Sequence, residues 1–231
     1  MNIIVNGGTR GIGKEIVQIL ARGKQNNILV NGRNRDSLVR LSNKAVNGNV
    51  VGIDADMSRF DKNEKKFRDA VFSHFEHVDI LINNAGLLIS KDFCDFSGKD
   101  ARDMMETNFF GPASVIRVVH PLMKTGSHIV NISSMGGFQG SSKYRGLSYY
   151  SASKAALSCL SESLAGEFRE EGIIVNCLAL GAVQTEMLEE AFPGYKAPVT
   201  AKEMAEFIAD FAMTGSRFFN GKVIPVAVSN P

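Results

Sequence analysis

Cysteine is scarce in this sequence. Only Cys94, Cys159 and Cys177 occur, odd in number, far apart and without a CxxC pair, and the four histidines are dispersed. That spacing offers neither a disulfide framework nor a zinc site, so no metal is expected. Three reduced thiols in a cytosolic protein are the reading, with Cys159 and Cys177 as buried apolar filler. A charge of one sign is missing too: 26 basic side chains face 24 acidic ones, a net +2. The basic residues are scattered and leave no electrostatic footprint for nucleic acid or an anionic membrane. No apolar run is long enough to span a bilayer. The N-terminus opens on Ile3-Ile4-Val5 and glycine, without the basic segment and long apolar core of a signal peptide. A cytoplasmic location is therefore expected. No low-complexity linker, charge block or short-period repeat divides the chain, so residues 1–231 are read as a single domain.

What is present is an alternation. Short runs rich in Ile and Val, at residues 2–5, 27–31, 49–53, 80–82, 128–132, 173–178 and 223–227, have the length and apolar character of strands buried on both faces. Helical patterns separate them at 13–22, 35–46, 61–75, 101–123, 149–170 and 200–213. Strand-helix alternation of this kind predicts right-handed βαβ units and a doubly wound parallel sheet of the α/β class. In such sheets ligands bind beyond the carboxyl ends of the strands, where the strand order reverses.

The first such end carries Asn6-Gly7-Gly8-Thr9-Arg10-Gly11-Ile12-Gly13, a GxxxGxG spacing that leads into a helix. One glycine permits a tight turn, one lets backbone approach a pyrophosphate, and one lets helix pack on strand. The phosphate would face the positive end of the helix dipole. A glycine-rich turn without a ligand is the plainer alternative. After the second strand comes Gly32-Arg33, where a carboxylate for ribose hydroxyls is absent and a planar guanidinium suits a 2′-phosphate. Arg10 can approach the same group. Two arginines where an acid is missing point to NADP(H) in preference to NAD, against the alternative that Arg33 is a solvated surface charge. Asp56-Met57 can meet an adenine edge or form a turn. Asn83, in Asn83-Asn84-Ala85-Gly86, either lies beside the nucleotide with Ala85 and Gly86 or satisfies strand-end carbonyls.

Tyr150-Ser151-Ala152-Ser153-Lys154 places a phenol and an amine four residues apart, on one helix face. A neighbouring ammonium is expected to lower the phenol pKa towards neutrality, where acid-base catalysis is most effective. Ser134, at the end of the fifth strand, can stabilise charge on a carbonyl oxygen, or act as a cap. Asn108, polar among apolar neighbours, can bend its helix around a water that links Lys154 to solvent, or be a satisfied core group.

Together these residues resemble the short-chain dehydrogenase/reductase family, with similarity to its 3-oxoacyl-[acyl-carrier-protein] reductase-like members. The motifs are Gly7 to Gly13, Asn83-Asn84-Ala85-Gly86, Asn108, Ser134, and Tyr150 with Lys154, and they cover nearly the whole chain. The resemblance implies a Rossmann-type sheet of seven strands and a catalytic tetrad of Asn108, Ser134, Tyr150 and Lys154. Tyr150 would protonate the alkoxide, Lys154 would also hold the nicotinamide ribose, Ser134 would orient the substrate, and the cofactor would supply hydride. It also implies a homo-oligomer, dimer or tetramer. Gly181, Val183 and Thr185 match the region that contacts the nicotinamide carboxamide.

Four departures from the family pattern stand out. Asn6 replaces the usual threonine, Leu180 replaces a proline that stiffens the following turn, and a longer stretch including residues 140–146 separates Ser134 from Tyr150. No Asp-Gly-Gly tail follows Val228. Residues 186–198 should cover the pocket as a lid, with Met187, Leu188, Ala191, Phe192 and Tyr195 at helical spacing. If that set meets substrate it favours an apolar or acyl-chain ketone, although such a stripe can equally be ordinary packing. The expected activity is NADPH-dependent reduction of a small carbonyl compound. A cofactor-binding regulator without turnover is the alternative, and a nucleotide-sugar epimerase needs a longer chain.

Overall fold

The computed structural model describes residues 1–44 and 49–228. Its strands are β1 (Asn2–Asn6), β2 (Asn27–Gly32), β3 (Asn49–Asp54), β4 (Ile80–Asn83), β5 (His128–Ser134), β6 (Ile174–Leu180), β7 (Val183–Gln184), β8 (Val199–Thr200) and β9 (Val223–Val226). Seven of them form one sheet in the order β3-β2-β1-β4-β5-β6-β9, every pairing parallel. The order reverses between β1 and β4, and a crevice opens there beyond the strand ends. This is the doubly wound α/β sheet expected from the alternation. The ribbon of β7 and β8 is too short to leave a signal in the sequence.

Eight α-helices connect the strands: α1 (Gly11–Leu20), α2 (Arg35–Lys44), α3 (Phe60–His74), α4 (Gly98–Met105), α5 (Gly111–Val119), α6 (Ser148–Glu167), α7 (Glu186–Ala191) and α8 (Ala201–Thr214). Residues 45–46 of the predicted second helix lie outside the described residues. Alternate strand residues enter two cores, as a two-faced sheet requires. Ile3, Val5, Val30 and Ile82 pack with Ile16 of α1 and Ile208 of α8 on one face. Ile4, Leu29, Leu81 and Ile129 pack with Phe67 of α3 and Val115 of α5 on the other. Each such side chain, fully buried, contributes about 1.5–3 kcal/mol.

Two expectations need correction. The single helix predicted over 101–123 is interrupted: Glu106–Phe110 is a π turn, closed by the Gly111 amide on the Glu106 carbonyl. Pro112 explains it, because the donor that an α-helix would give the Asn108 carbonyl comes from residue 112, and proline has none. Cys159, expected inside, is exposed on α6, whereas Cys177 on β6 is buried. Among the described residues no helix is long and apolar enough to cross a membrane.

Candidate active site

A cavity of about 840 Å³ lies along the carboxyl ends of the strands, within the usual size for a ligand pocket of about 300–1,000 Å³. At its β1 end the chain turns sharply. Gly7 has φ +82°, and a Cβ there would stand 2.5 Å from Ala85 Cα. Asn84 Nδ2 donates to the Gly7 carbonyl at 2.9 Å and holds that turn. A Cβ at Gly13 would run into the same carbonyl, so Gly13 serves packing and is not part of the wall. Thr9, Arg10, Gly11 and Ile12 line the cavity at the start of α1. Their backbone N–H groups and helix end suit a phosphate.

Beyond β2 the wall continues through Gly32 and Arg33. Gly32 is required: a Cβ would overlap the Thr9 methyl group and stand 2.9 Å from Thr9 Oγ1. Arg33 is exposed and has no carboxylate partner among the described residues. Arg10 lines the cavity as well. Its guanidinium pairs with Glu190 on α7 at 3.1 Å, tying the glycine loop to the segment above the cavity. Asp56 and Met57 line the wall, and Asp56 Oδ1 accepts from Ser58 N and Oγ in a turn.

Asn83 does not line the cavity. It is buried in a ladder of four asparagines in register on neighbouring strands. Asn31 Nδ2 donates to Asn6 Oδ1 at 2.8 Å, Asn6 Nδ2 to Asn83 Oδ1 at 3.4 Å, and Asn83 Nδ2 to Asn131 Oδ1 at 2.8 Å. Asn131 Nδ2 then donates to Ser161 Oγ on α6 at 2.9 Å. Asn6, which stands where the family usually has threonine, is a rung of this ladder.

At the other end of the cavity, Ser134, Tyr150 and Lys154 form the wall beside Gly86. Ser134 Oγ accepts from Gly136 N at 3.2 Å, which leaves its proton for the Tyr150 phenol, its hydrogen-bond partner. Burial raises the phenol pKa above its ordinary value, and the bond from Ser134 acts against that rise. The lowering expected from Lys154 does not appear. Its Nζ donates instead to the Ile132 carbonyl at 2.8 Å, and burial brings its pKa down to about 8.

Asn108 stands behind the wall, fully buried. Its Nδ2 donates to Leu87 O and to Ser153 Oγ, each at 2.9 Å, and its Oδ1 accepts from Leu87 N at 2.7 Å. Ser153 Oγ in turn donates to the Tyr150 carbonyl at 2.7 Å. A Cβ at Gly86 would lie 3.5 Å from Lys154 Nζ and 3.6 Å from Asn108 Oδ1, so these groups converge on one glycine. Ser153 escaped notice in the sequence because a serine inside a helix gives no signal of its own.

The remaining wall comes from the segment 186–198 and two loops. Met187, Leu188, Phe192 and Tyr195 line the cavity, while Ala191 does not. Gly181, Val183 and Thr185 stand at the base, Thr185 capping α7 by accepting from Leu188 N at 3.2 Å. At Leu180, where the family usually has proline, β6 continues, and Gly181 N donates to Val226 O at 2.9 Å. Tyr144, Arg145 and Leu147 of the long stretch before Tyr150 also reach the cavity. Arg145 Nε anchors that stretch to Asp92 at 2.7 Å. Among the described residues no cluster of His, Cys, Asp or Glu could hold a metal ion.

Comparison with known proteins agrees with this geometry. A family model described as short chain dehydrogenase matches residues 1–196. A tropinone reductase homolog of Arabidopsis thaliana is 31% identical over 239 residues, covering 96% of this chain and 89% of its own. An uncharacterized oxidoreductase of Staphylococcus epidermidis is 29% identical over 213 residues, covering 91% and 90%. Among solved structures, a dehydrogenase/reductase from Sinorhizobium meliloti superposes with a TM-score of 0.84 at 26% identity, covering 98% of this chain and 93% of that one.

Proposed function

The chain belongs to the short-chain dehydrogenase family and is an NAD(P)-dependent oxidoreductase, and from that premise we propose that it reduces a small apolar ketone with NADPH, Tyr150 delivering the proton. One observation carries this reading. A single cavity joins a phosphate-type glycine loop and an unpaired Arg33 at the β1 and β2 ends to Ser134, Tyr150 and Lys154 beyond β5.

The nucleotide fits the residues present. The close approach of Gly7 to Ala85 leaves no room for a side chain where a backbone-lined phosphate cradle is needed. The loop and the α1 terminus would hold the pyrophosphate, Arg33 the 2′-phosphate, Asp56 and Met57 the adenine edge, Lys154 the nicotinamide ribose, and Val183 with Thr185 the carboxamide. When bound, the nicotinamide supplies hydride. The preference for NADPH over NADH rests on Arg33, since Arg10 is engaged by Glu190.

The chain's own part is to orient and to move a proton. A ketone oxygen bound beside Tyr150 and Ser134 would accept from Tyr150, and from Ser134 once its hydroxyl turns from the phenol to which it now donates, as negative charge develops. Burial keeps Tyr150 protonated at neutral pH, the state needed to give its proton to the alkoxide. The Lys154 ammonium, engaged by the Ile132 carbonyl and without effect on the phenol pKa here, would act through the nicotinamide ribose. Asn108 holds Leu87 and, through Ser153, the Tyr150 turn in place. Leu87, Leu147, Met187 and Phe192 give the substrate end an apolar wall, which supports an aliphatic, aromatic or acyl-chain ketone over a sugar. A homo-oligomer fits the exposed Phe207, Phe218 and Phe219 around the end of α8, and a cytoplasmic setting fits use of NADPH.

The test is NADPH oxidation by the purified protein against a panel of 3-oxoacyl thioesters, diketones, aromatic ketones and sugars, with Tyr150→Phe as control. Turnover of an apolar ketone that drops by about 100-fold or more in the control is expected. A reaction indifferent to that substitution overturns the proposed acid, and binding of NADPH without turnover on any carbonyl favours a regulator.

A further inference from the structure

Three consecutive residues of β5 each make one contact with the tyrosine-lysine pair on α6. The Ile132 carbonyl accepts from Lys154 Nζ at 2.8 Å. Ser133 Oγ donates to the main-chain carbonyl of Lys154 at 2.8 Å. Ser134 bonds the Tyr150 phenol. Strand alternation explains the division: side chains 132 and 134 face the side opposite to 133, so the Ser133 hydroxyl lies under α6 at the edge of the cavity. It is buried at 3% exposure.

Around Ser133 a second hydroxyl converges on the same carbonyl. Ser158 Oγ donates to Ser133 Oγ at 3.0 Å and lies 3.1 Å from the same Lys154 carbonyl. Ser133 has one proton, which it donates to the Lys154 carbonyl, and it accepts from Ser158; the Cys177 thiol lies beside both hydroxyls. The approach of helix to strand is close here: a Cβ at Gly137 would stand 2.5 Å from Ala155 N and 2.6 Å from the Lys154 carbonyl carbon. Lys154 is therefore fixed at both ends by one strand, its ammonium by residue 132 and its backbone by residue 133.

We infer that Ser133 is a positioning residue, which acts through the Lys154 backbone to hold the amine in register with the Tyr150 phenol and Ser134. The inference rests on the ketoreductase reading of this site. An error of about 1 Å in such a constellation can cost about 100-fold in rate, and a hydroxyl on the strand that also carries Ser134 ties the two halves of the site to one rigid element.

The experiment compares Ser133→Ala, Ser133→Thr and the parent chain in two ways. Steady-state kinetics with NADPH and a ketone turned over by the parent should show kcat down roughly ten- to 100-fold in Ser133→Ala, both KM values within about twofold, and recovery in Ser133→Thr, which keeps the hydroxyl. Separately, NMR titration of the Lys154 side chain, assigned by its loss in Lys154→Met, should show the midpoint displaced in Ser133→Ala and restored in Ser133→Thr. A lower melting temperature with unchanged kcat and an unmoved Lys154 titration makes Ser133 a packing residue only and overturns the inference. A parent chain without Tyr150-dependent turnover overturns the ketoreductase reading instead, and the titration alone then decides for or against Ser133.

Discussion

Lys154 Nζ donates to the Ile132 carbonyl, 2.8 Å away on β5, and the whole residue is 3% exposed. Burial lowers the amine from 10.5 to about 8, with Cys177 acting weakly the other way. The unfolded chain thus holds this proton more tightly than the folded one, so the cost is present in full below about pH 8 and fades as pH rises to 10.5. That cost is on the order of 3 kcal/mol, partly offset by the bond to Ile132. Lys154→Met should therefore melt higher than the parent at pH 7, with the gap closing towards pH 10, while turnover falls by at least about 100-fold. Thermal unfolding followed by circular dichroism across that range is the check. A variant that melts lower at pH 7 would show that the amine stabilises the fold.

Tyr150 and Ser134 make a second, opposite case. The serine bond favours the phenolate and burial opposes it. Removing the bond with Ser134→Ala should push the phenol further up. Reduction needs the protonated phenol, so the alkaline limb of its kcat profile should move to higher pH even as kcat drops by roughly ten- to 1,000-fold. A limb that stays put would mean that another group titrates there.

Much of this site is legible in the sequence because its parts are local. The glycines at 7, 11 and 13 and the four-residue step from Tyr150 to Lys154 are spacing rules, and spacing survives folding. The strands are legible because a sheet buried on both faces leaves apolar runs. What was hidden depends on residues distant in sequence. Asn6, Asn31, Asn83 and Asn131 read as four separate strand-end polar residues, and only the register of β2, β1, β4 and β5 aligns them into a ladder. The partner of Arg10 is a glutamate 180 residues away, so no local pattern warns that this arginine pairs with α7. Lys154 misled for a related reason: its helix face was correct, yet the carbonyl of residue 132 competes with the phenol for the ammonium.

Cofactor choice is tested at Gly32 and Arg33. Arg33→Asp should raise the KM for NADPH by about tenfold or more, since a charged hydrogen bond is lost and a like charge faces the phosphate. Placing the carboxylate one residue earlier should fail alone. Gly32→Asp sets a Cβ against the Thr9 side chain and should cost about 1–3 kcal/mol through overpacking. The pair Thr9→Gly with Gly32→Asp should recover stability and bind NADH better than Gly32→Asp alone. Dissociation constants for both nucleotides, with melting temperatures alongside, decide this. If Gly32→Asp is as stable as the parent, Thr9 does not set the limit.

His128 gives the fold a pH dependence separate from the active site. It is buried on β5, with Nδ1 at 3.0 Å from the Ala212 carbonyl and Nε2 at 3.1 Å from Asn176 Nδ2. A carbonyl only accepts and an amide nitrogen only donates, so the ring is neutral with its proton on Nδ1. Protonating Nε2 would set two donors against each other, and no carboxylate faces the ring from α8 or β6, where Ala212, Phe211 and Asn176 surround it. Burial accordingly holds the His128 pKa below its ordinary 6.5, the Ala212 carbonyl pulling weakly the other way. The unfolded chain takes up the proton first as pH falls. Stability should be flat in His128 above about pH 7 and decline below 6.5, with a slope of up to about 1.4 kcal/mol per pH unit. Urea unfolding from pH 7.5 to 5.5 on the parent and on His128→Gln is the measurement: the variant starts less stable but should lose less over the range, and parallel curves would mean that acid sensitivity arises elsewhere.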